Sequence, residues 1–220
     1  MENKKALVVL SGGLDSVTAL YWAHKNYSEV KAIHFNYGSK HQFHETACAV
    51  YHTNKLGVEL VSVDIPLDKY FKSSLLASGE DIPEGRYDEE NMKSTVVPFR
   101  NGIMLSIAGG YAESIDFDCV VLGNHAGDHT IYPDCRQSFI DAFSEALKQG
   151  TWKGVELVSP FCNIRKEDIV KIGTELNVDY TKTYSCYKGM KKHCGVCGTC
   201  TERKEAFQLA GVVDPTEYDK

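Results

Sequence analysis

A short loop with two adjacent glycines, between an apolar strand and an amphipathic helix, constrains this chain more than any other feature. The apolar run 6–10 predicts a buried strand; Ser11-Gly12-Gly13-Leu14-Asp15-Ser16 follows it, and a helix is expected to begin near Val17. Glycines let the backbone turn sharply and approach a ligand, with successive N–H groups facing one concavity. The helix aims its positive end at the same place. The sequence therefore predicts a phosphate-binding loop.

Two better-known phosphate loops do not fit this segment. The Walker pattern needs a lysine, and none occurs between Lys5 and Lys25. The dinucleotide pattern needs spaced glycines with a third one following, whereas these two are adjacent. The segment instead resembles the SGGxDS signature of the PP-loop ATP pyrophosphatase superfamily, which implies ATP, although a plain glycine turn is the structural alternative. The residues expected at the nucleotide are Leu10, Ser11, Gly12, Gly13, Leu14, Asp15, Ser16, Val17 and Thr18.

Asp15 is the unusual member of the loop, because a carboxylate would repel phosphates. We expect it either to hold the shape of the loop or to help coordinate Mg²⁺ bound to the nucleotide. The hydroxyl groups of Ser11 and Ser16 are expected to donate to phosphate oxygens.

Composition narrows the class of protein. With 220 residues, 43% of them hydrophobic, the chain can form one large domain with a small appendage. No apolar run is long enough to span a membrane and residues 1–5 lack signal-peptide features, so we expect a cytoplasmic protein. The net charge of -6 argues against a broad nucleic-acid surface and so against a nucleic-acid partner. A local basic patch remains open at Lys188, Lys191, Lys192, Arg203 and Lys204.

Apolar periodicity alternates between strands and helices along the chain, which predicts an α/β fold with a doubly wound, mostly parallel five-stranded sheet. The predicted strands are 6–10, 30–35, 59–65, 119–122 and 155–158. The helix after the second strand is expected to pack through Phe43, Ala47, Val50 and Tyr51. Residues 66–95 interrupt the alternation and predict an insertion near the strand ends, where ligands bind in such sheets.

Half of the eight cysteines lie close together near the C-terminus, as Cys186-x7-Cys194-x2-Cys197-x2-Cys200. Disulfides seldom persist in a reducing compartment, and four thiolates suit a closed tetrahedral site for one structural Zn²⁺. An iron–sulfur cluster is the main alternative, and His193 could replace one thiolate. We expect residues 1–180 to form the ATP-binding domain and 181–220 a small zinc-binding helical subdomain, with a last helix ended by Gly211.

Several further motifs accompany the loop and the cysteines. They are Val97-Pro98-Phe99-Arg100-Asn101, Gly123-Asn124, Tyr132-Pro133-Asp134-Cys135-Arg136 and Tyr184-Ser185-Cys186-Tyr187-Lys188-Gly189. Together they resemble the QueC/ExsB family of queuosine biosynthesis, the 7-cyano-7-deazaguanine synthases, from about Leu7 to Tyr218. Phe99 stands where that family usually has a small residue and Tyr184 where tryptophan is commoner. These departures affect the expected shape of the pocket.

The resemblance implies a PP-loop fold, like that of the adenine nucleotide alpha hydrolases, and an ATP-dependent ligase. Its substrates would be 7-carboxy-7-deazaguanine, ammonia and ATP, and its product the 7-cyano compound. A carboxylate is a poor electrophile, so ATP must first convert it into a mixed anhydride before ammonia forms an amide, and a second activation gives the nitrile. The resemblance also implies a homodimer. Whether ATP yields AMP plus pyrophosphate or ADP plus phosphate stays open.

Cations must come from outside the loop, because it lacks lysine. Arg100, Arg136 and Lys166 are the candidates, with a surface salt bridge as the alternative for each. Asp128 and Asp134 are candidates for Mg²⁺ or for the exocyclic amine of the base, with a cap or turn role as the alternative.

The remaining chemistry-bearing residues are given structural roles. Direct attack by ammonia needs no thiol, so Cys135 is expected to be buried or to line the pocket. Cys48 and Cys119 are expected in the core, and His34 as a packed histidine.

Three other functions remain compatible with the sequence. A tRNA-thiolating PP-loop enzyme would need a persulfide or iron–sulfur site and a basic face. A zinc-stabilised nucleotide sensor or nucleic-acid-binding module would bind ATP without consuming it. A relative of the synthases could stop at the amide.

Overall fold

The chain folds into one parallel sheet with helices on both faces. The computed structural model describes residues 2–220, and its strands are β1 (Glu2–Val9), β2 (Tyr27–Asn36), β3 (Glu59–Asp64), β4 (Cys119–Val121) and β5 (Glu156–Val158). The helices are α1 (Leu14–Asn26), α2 (Gln42–Leu56), α3 (Arg100–Ser114), α4 (Gln137–Gly150), α5 (Lys166–Glu175) and α6 (Gly198–Ala210). The strand order is β3-β2-β1-β4-β5 with every pairing parallel, which confirms the predicted fold.

The central strands are buried on both faces. Successive side chains of a strand point to opposite sides, and in β1 Leu7 packs in the core with α3 and α4, whereas Val8 packs in the core with α1 and α5. Val120 and Val121 of β4 divide in the same way. A strand covered on both faces appears in the sequence as an unbroken apolar run, and for this reason the strands were recognisable.

The strand order places a crevice at the carboxyl ends of β1 and β4. The chain moves outward from β1 to β2 and β3, and then crosses to the other side of β1 for β4 and β5. In open α/β sheets, ligands bind where this reversal separates neighbouring loops. Here the loop 10–16 follows β1 and Gly123-Asn124 follow β4, while the insertion 66–95 contributes Tyr87 to the same crevice.

Two helices differ from the sequence prediction. Helix α1 begins at Leu14 instead of near Val17, so Asp15 lies in its first turn. Helix α2 does not pack through the predicted face, since Phe43 is 81% exposed and Val50 is 42% exposed. Its buried residues are Ala49, His52 and Thr53. The buried face of α2 is largely polar, so a search for apolar periodicity identified the exposed face of the helix as the buried one.

The basic patch that the sequence left open cannot include Arg203. Arg203 has no exposed surface; it lies inside the fold, bonded to Thr183, Ser185, Tyr180 and Asp214. The last helix ends as predicted, with Gly211 in the left-handed conformation after α6. No helix within residues 2–220 is long and apolar enough to cross a membrane.

Candidate active site

The glycine loop gathers its N–H groups on two hydroxyl oxygens. Ser16 Oγ accepts the N–H groups of Ser11 (3.2 Å) and Gly12 (3.3 Å), and Ser11 Oγ accepts that of Gly13 (3.1 Å). Gly12 has φ of +100°, and a Cβ there would lie 2.1 Å from the carbonyl oxygen of Glu45 in α2. Only glycine fits this approach, so the loop keeps a shape in which its donors converge.

The loop leads directly into the N-terminus of α1. Gly13 is the N-cap residue and has no side chain to accept from the first turn, so those N–H groups face the crevice, where an anion can bind. Leu10, Ser11, Gly13, Leu14, Asp15 and Ser16 line the cavity. Gly12, Val17 and Thr18, which were also predicted at the nucleotide, do not line it. Val17 packs in the core, and Thr18 Oγ1 donates to Leu14 O at 2.8 Å.

A buried lysine at the start of α5 joins the loop to α6. Lys166 Nζ lies 3.1 Å from Asp15 Oδ2 and 2.7 Å from Glu202 Oε2. Burial alone would lower the pKa of Lys166, but the carboxylates of Asp15 and Glu202 outweigh it and hold the pKa above its ordinary value. Lys166 is therefore positively charged and lies beside the loop. This position agrees with its candidacy as a cation at the phosphates.

Asp128 and Asp134 both serve as caps. Asp128 Oδ2 accepts the N–H of His125 (3.0 Å), and its Oδ1 accepts the hydroxyl of Tyr87 (2.9 Å). Asp134 Oδ2 accepts the N–H of Asn101 at the start of α3 (2.9 Å). Asp128 lines the cavity, whereas Asp134 is not among its lining residues. Both carboxylates therefore have the cap role that the sequence analysis gave as the alternative.

The two predicted arginines point in different directions. Arg100, the first residue of α3, lines the cavity and donates from Nη1 to the hydroxyl of Tyr37 (3.1 Å). Arg136 precedes α4, is exposed, and donates from Nε to His129 O (2.9 Å). The structure brings Arg100 and Lys166 to the cavity and leaves Arg136 outside it.

The thiols outside the C-terminal cluster are packed. Cys135 lines the cavity, and burial raises the pKa of its thiol well above the ordinary value, so it is protonated near neutral pH. Cys119 and Cys162 are buried, and Cys48 packs against the core. His34 is a packed histidine, with Nδ1 2.8 Å from Leu10 O and Nε2 2.9 Å from Thr46 Oγ1.

The cavity continues past the loop into a compartment that the sequence did not predict. The start of α2 contributes His41 and Glu45, with Nε2 of the histidine 3.4 Å from Oε2 of the glutamate. Tyr37 and Tyr187 contribute aromatic rings. The available signal was the polar i, i+4 pair His41 and Glu45 on the side of α2 opposite Phe43, which apolar periodicity does not detect.

The cavity has a volume of about 190 Å³ and extends from the loop end to the aromatic end.

The four predicted cysteines meet in one buried group. The sulfur atoms of Cys186, Cys194, Cys197 and Cys200 all lie within 4.8 Å of one another, and the pair Cys194–Cys200 is 3.9 Å apart. A tetrahedral zinc site with Zn–S of about 2.3 Å has S–S edges of about 3.8 Å. Backbone N–H groups of Cys194 and Cys197 donate to the sulfurs, as thiolates require. The donor set fits zinc.

His193 lies outside this group of ligands. Its Nε2 accepts the N–H of Ser185 at 3.0 Å, and its ring packs against Tyr184. All four ligands of the cluster are therefore cysteines.

Sequence comparison identifies the family. A model of the queuosine biosynthesis protein QueC matches residues 5–211. The chain belongs to the QueC family. A relative from Porphyromonas gingivalis strain ATCC 33277, named 7-cyano-7-deazaguanine synthase, is 57% identical over 220 residues, or 99% of this chain and 98% of the relative. A relative of the same name from Desulfotalea psychrophila is 49% identical over 214 residues, or 97% and 98% of the two chains.

Solved structures support the fold of this QueC-family chain. The U34-tRNA thiolase NcsA from Methanococcus maripaludis, with its [4Fe-4S] cluster, superposes with a TM-score of 0.54 and 17% identity, covering 100% of this chain and 75% of the thiolase. The NMN synthetase of Francisella tularensis gives a TM-score of 0.52 and 17% identity, covering 96% and 78%. At this identity the likeness shows a shared fold and nothing more.

The two departures from the QueC motifs have different consequences. Phe99 is the N-cap of α3, with φ of 54°, a conformation that bulky side chains rarely adopt. Its ring is 58% exposed, packs on Phe139 and does not line the cavity. Tyr184 does line the cavity, and its ring stacks on His44 at 4.6 Å. Only Tyr184 changes the pocket wall.

Proposed function

We propose that this chain is an ATP-dependent 7-cyano-7-deazaguanine synthase of queuosine biosynthesis, a ligase that forms carbon–nitrogen bonds. Its substrates are 7-carboxy-7-deazaguanine, ammonia and ATP. The observation that carries the proposal is 57% identity along nearly the whole chain to a relative of that name. The glycine loop at the carboxyl end of β1 supports it, because the reaction needs ATP held beside a second substrate.

The reaction proceeds through two activations. A carboxylate oxygen of the substrate attacks a phosphorus atom of ATP, giving a mixed anhydride and releasing either pyrophosphate or ADP, according to which phosphorus is attacked. Ammonia attacks the carbonyl carbon, and the activating group leaves, which gives the amide. The amide oxygen is activated by a second ATP, and loss of this group and two protons yields the nitrile. The protein contributes positioning and charge stabilisation in both steps.

The cavity residues divide this work. The N–H groups in the first turn of α1, which no side chain caps, bind the phosphates, and Lys166 offsets charge that develops there. Asp15 holds Lys166, and Asp128 and Asp134 act by positioning their neighbours. Arg136 has no part in this scheme.

Two metals fit the residues present. Asp15 Oδ1 is buried without a hydrogen-bond partner in residues 2–220, and a carboxylate oxygen is a ligand that Mg²⁺ prefers. Mg²⁺ held there would neutralise phosphate charge. The four cysteines would hold one Zn²⁺, which stabilises the fold and has no open position for chemistry.

Three predictions concern the protein as a whole. The homodimer that the resemblance implies is tested by light scattering coupled to gel filtration, where a monomer at micromolar concentration would contradict it. The cytoplasmic location and the division at residue 180 stay predictions, tested by cell fractionation and by limited proteolysis.

The experiment that tests the function measures nucleotide products with each substrate omitted in turn. We expect release of AMP or ADP only when 7-carboxy-7-deazaguanine and ammonium are both present, and the nucleotide identified by chromatography decides which bond of ATP breaks. Mass spectrometry of the base must show the nitrile. Nucleotide release that neither substrate stimulates would refute the proposal, and accumulation of the amide alone would place the chain among enzymes that stop there.

A further inference from the structure

The aromatic end of the cavity contains two ionisable side chains, Glu45 and Arg100, that the protein itself leaves largely unpaired. The Glu45 side chain is only 13% exposed, and among residues 2–220 its carboxylate has one polar neighbour, His41 Nε2 at 3.4 Å. Arg100 donates one of its five N–H groups, to Tyr37, and has no carboxylate within 4.0 Å in that range. Both lie in the cavity wall. Charged groups in such places need partners, so a ligand is the natural source.

The pattern of charges specifies the chemistry of that ligand. A carboxylate accepts two parallel N–H donors, and a guanidinium donates to carbonyl or carboxylate oxygen. The guanine ring system offers N1–H and the 2-amino group on one edge and the acceptor O6 beside them. The rings of Tyr187 and His41 pack on each other, with centroids 5.4 Å apart and a tilt of 32°, and form one aromatic wall of the compartment on which such a base can pack.

We propose, resting on the synthase function above, that Glu45 binds the N1–H and 2-amino edge of the deazaguanine and that Arg100 binds its O6. The base then lies at the aromatic end, and its 7-carboxylate extends toward the loop, Asp15 and Lys166. This assigns specificity for the guanine-type base to Glu45, a residue on α2, and leaves the loop to the nucleotide.

The state of the free site agrees with this assignment. Burial raises the pKa of the Glu45 carboxyl to about 8, although Arg100 lowers it. Burial lowers the pKa of His41 to about 3, so the histidine is neutral and cannot serve as a counter-ion. Two N–H donors from a base would supply the stabilisation that the carboxylate lacks.

The position of Glu45 is fixed by the loop. Its backbone carbonyl lies against Gly12, where any Cβ would come within 2.1 Å. The N–H of Glu45 donates to His41 O at 3.2 Å, which anchors the first turn of α2. The contact between Gly12 and the Glu45 backbone therefore fixes the position of Glu45 relative to the glycine loop.

The test compares two bases in the wild type, Glu45→Gln and the exposed control Glu175→Gln. The bases are 7-carboxy-7-deazaguanine and its analogue without the 2-amino group. Loss of a hydrogen bond to a charged group lowers binding about ten- to a hundredfold. We expect the wild type and the control to prefer the natural base by that factor and Glu45→Gln to lose most of this preference. The KM for ATP should stay within about threefold.

Equilibrium binding of each base, measured by calorimetry without ATP, separates this inference from the proposed function. If binding prefers the natural base, this preference depends on Glu45 and there is no turnover, the base site is supported and the synthase function is overturned. If turnover occurs and Glu45→Gln keeps the preference for the natural base, the synthase function is supported and the base site is overturned. If neither binding nor turnover is found, both proposals are overturned. If Glu45→Gln does not fold, Arg100→Gln replaces it: both bases carry O6, so it should weaken both equally, and unaltered binding of both would refute the assignment.

Discussion

The fold should depend strongly on one buried arginine that has no contact with the cavity. Arg203 donates to Thr183 Oγ1 (2.8 Å), Ser185 Oγ (3.2 Å), Tyr180 O (3.0 Å) and Asp214 Oδ1 (3.3 Å). Arg203→Met keeps most of the side-chain volume but leaves Asp214 and these acceptors without their partner. Breaking a buried ion pair from one side costs about 3–5 kcal/mol. In a protein of this size each kcal/mol shifts Tm by about 2–4 °C.

The expected decrease in Tm is therefore roughly 6–20 °C, measured by circular dichroism at fixed zinc concentration. The control is Lys192→Met, which removes an exposed ion pair with Glu217 and should change the free energy of unfolding by less than about 1 kcal/mol. Arg203→Met combined with Asp214→Asn should melt higher than Arg203→Met alone, because the uncompensated carboxylate is gone. A single variant that melts within about 2 °C of the wild type would refute the reasoning.

Four further outcomes follow from the site. Asp15→Ala should abolish turnover while the circular dichroism spectrum still shows the native fold; full turnover would remove Asp15 from the mechanism. Cys197→Ser should release zinc and lower Tm, since structural zinc contributes to folding, and retention of one zinc per chain would contradict this. Cys135→Ser should keep turnover within about tenfold, because its raised pKa keeps the thiol protonated, and a thousandfold loss would indicate a nucleophile. Without substrates, Tm of the wild type should fall relative to Glu45→Gln as pH rises from about 5 to about 8.5, whereas parallel curves would contradict a raised pKa.

The sign of the pH effect follows from proton binding. The pKa of the Glu45 carboxyl is raised to about 8 in the folded protein and is about 4.3 in an unfolded chain. Between these values the folded state holds a proton that the unfolded state has lost, so stability decreases with rising pH. Arg100, the neutral His41, Tyr37 and Cys48 are ionisable groups that interact with this carboxyl.

The features predicted correctly from the sequence have local causes. A strand covered on both faces gives an apolar run, Gly12 has the positive φ that its own tight turn requires, and the cysteines that converge, such as Cys194 and Cys197, are closely spaced in the chain. Each signal lies within a few residues, and no tertiary contact is needed to recognise it.

The features that the sequence alone could not determine depend on distant contacts. Arg100 and Arg136 each stand beside a helix start, but packing directs one into the cavity and the other to solvent. Arg203 belongs to a basic stretch in the sequence, and only its approach to Asp214 and Tyr180 buries it. Glu45 becomes part of a cavity because α2 packs beside residues from the far end of the chain. The amino-acid composition and local pattern give no signal for these long-range contacts.

One backbone contact connects the C-terminal four-cysteine segment to the glycine loop. Gly12 O in the loop accepts the N–H of Tyr184 at 3.1 Å, and Tyr184 lies two residues before Cys186, the first cysteine of the cluster. Arg203 donates to Ser185 Oγ in the same segment. The loop therefore lies between α2, which carries Glu45, and a segment held by the cysteine cluster and Arg203. Because a binding loop must keep one geometry, we expect disruption of the cysteine cluster to weaken phosphate binding at the loop, although the cluster lies outside the cavity.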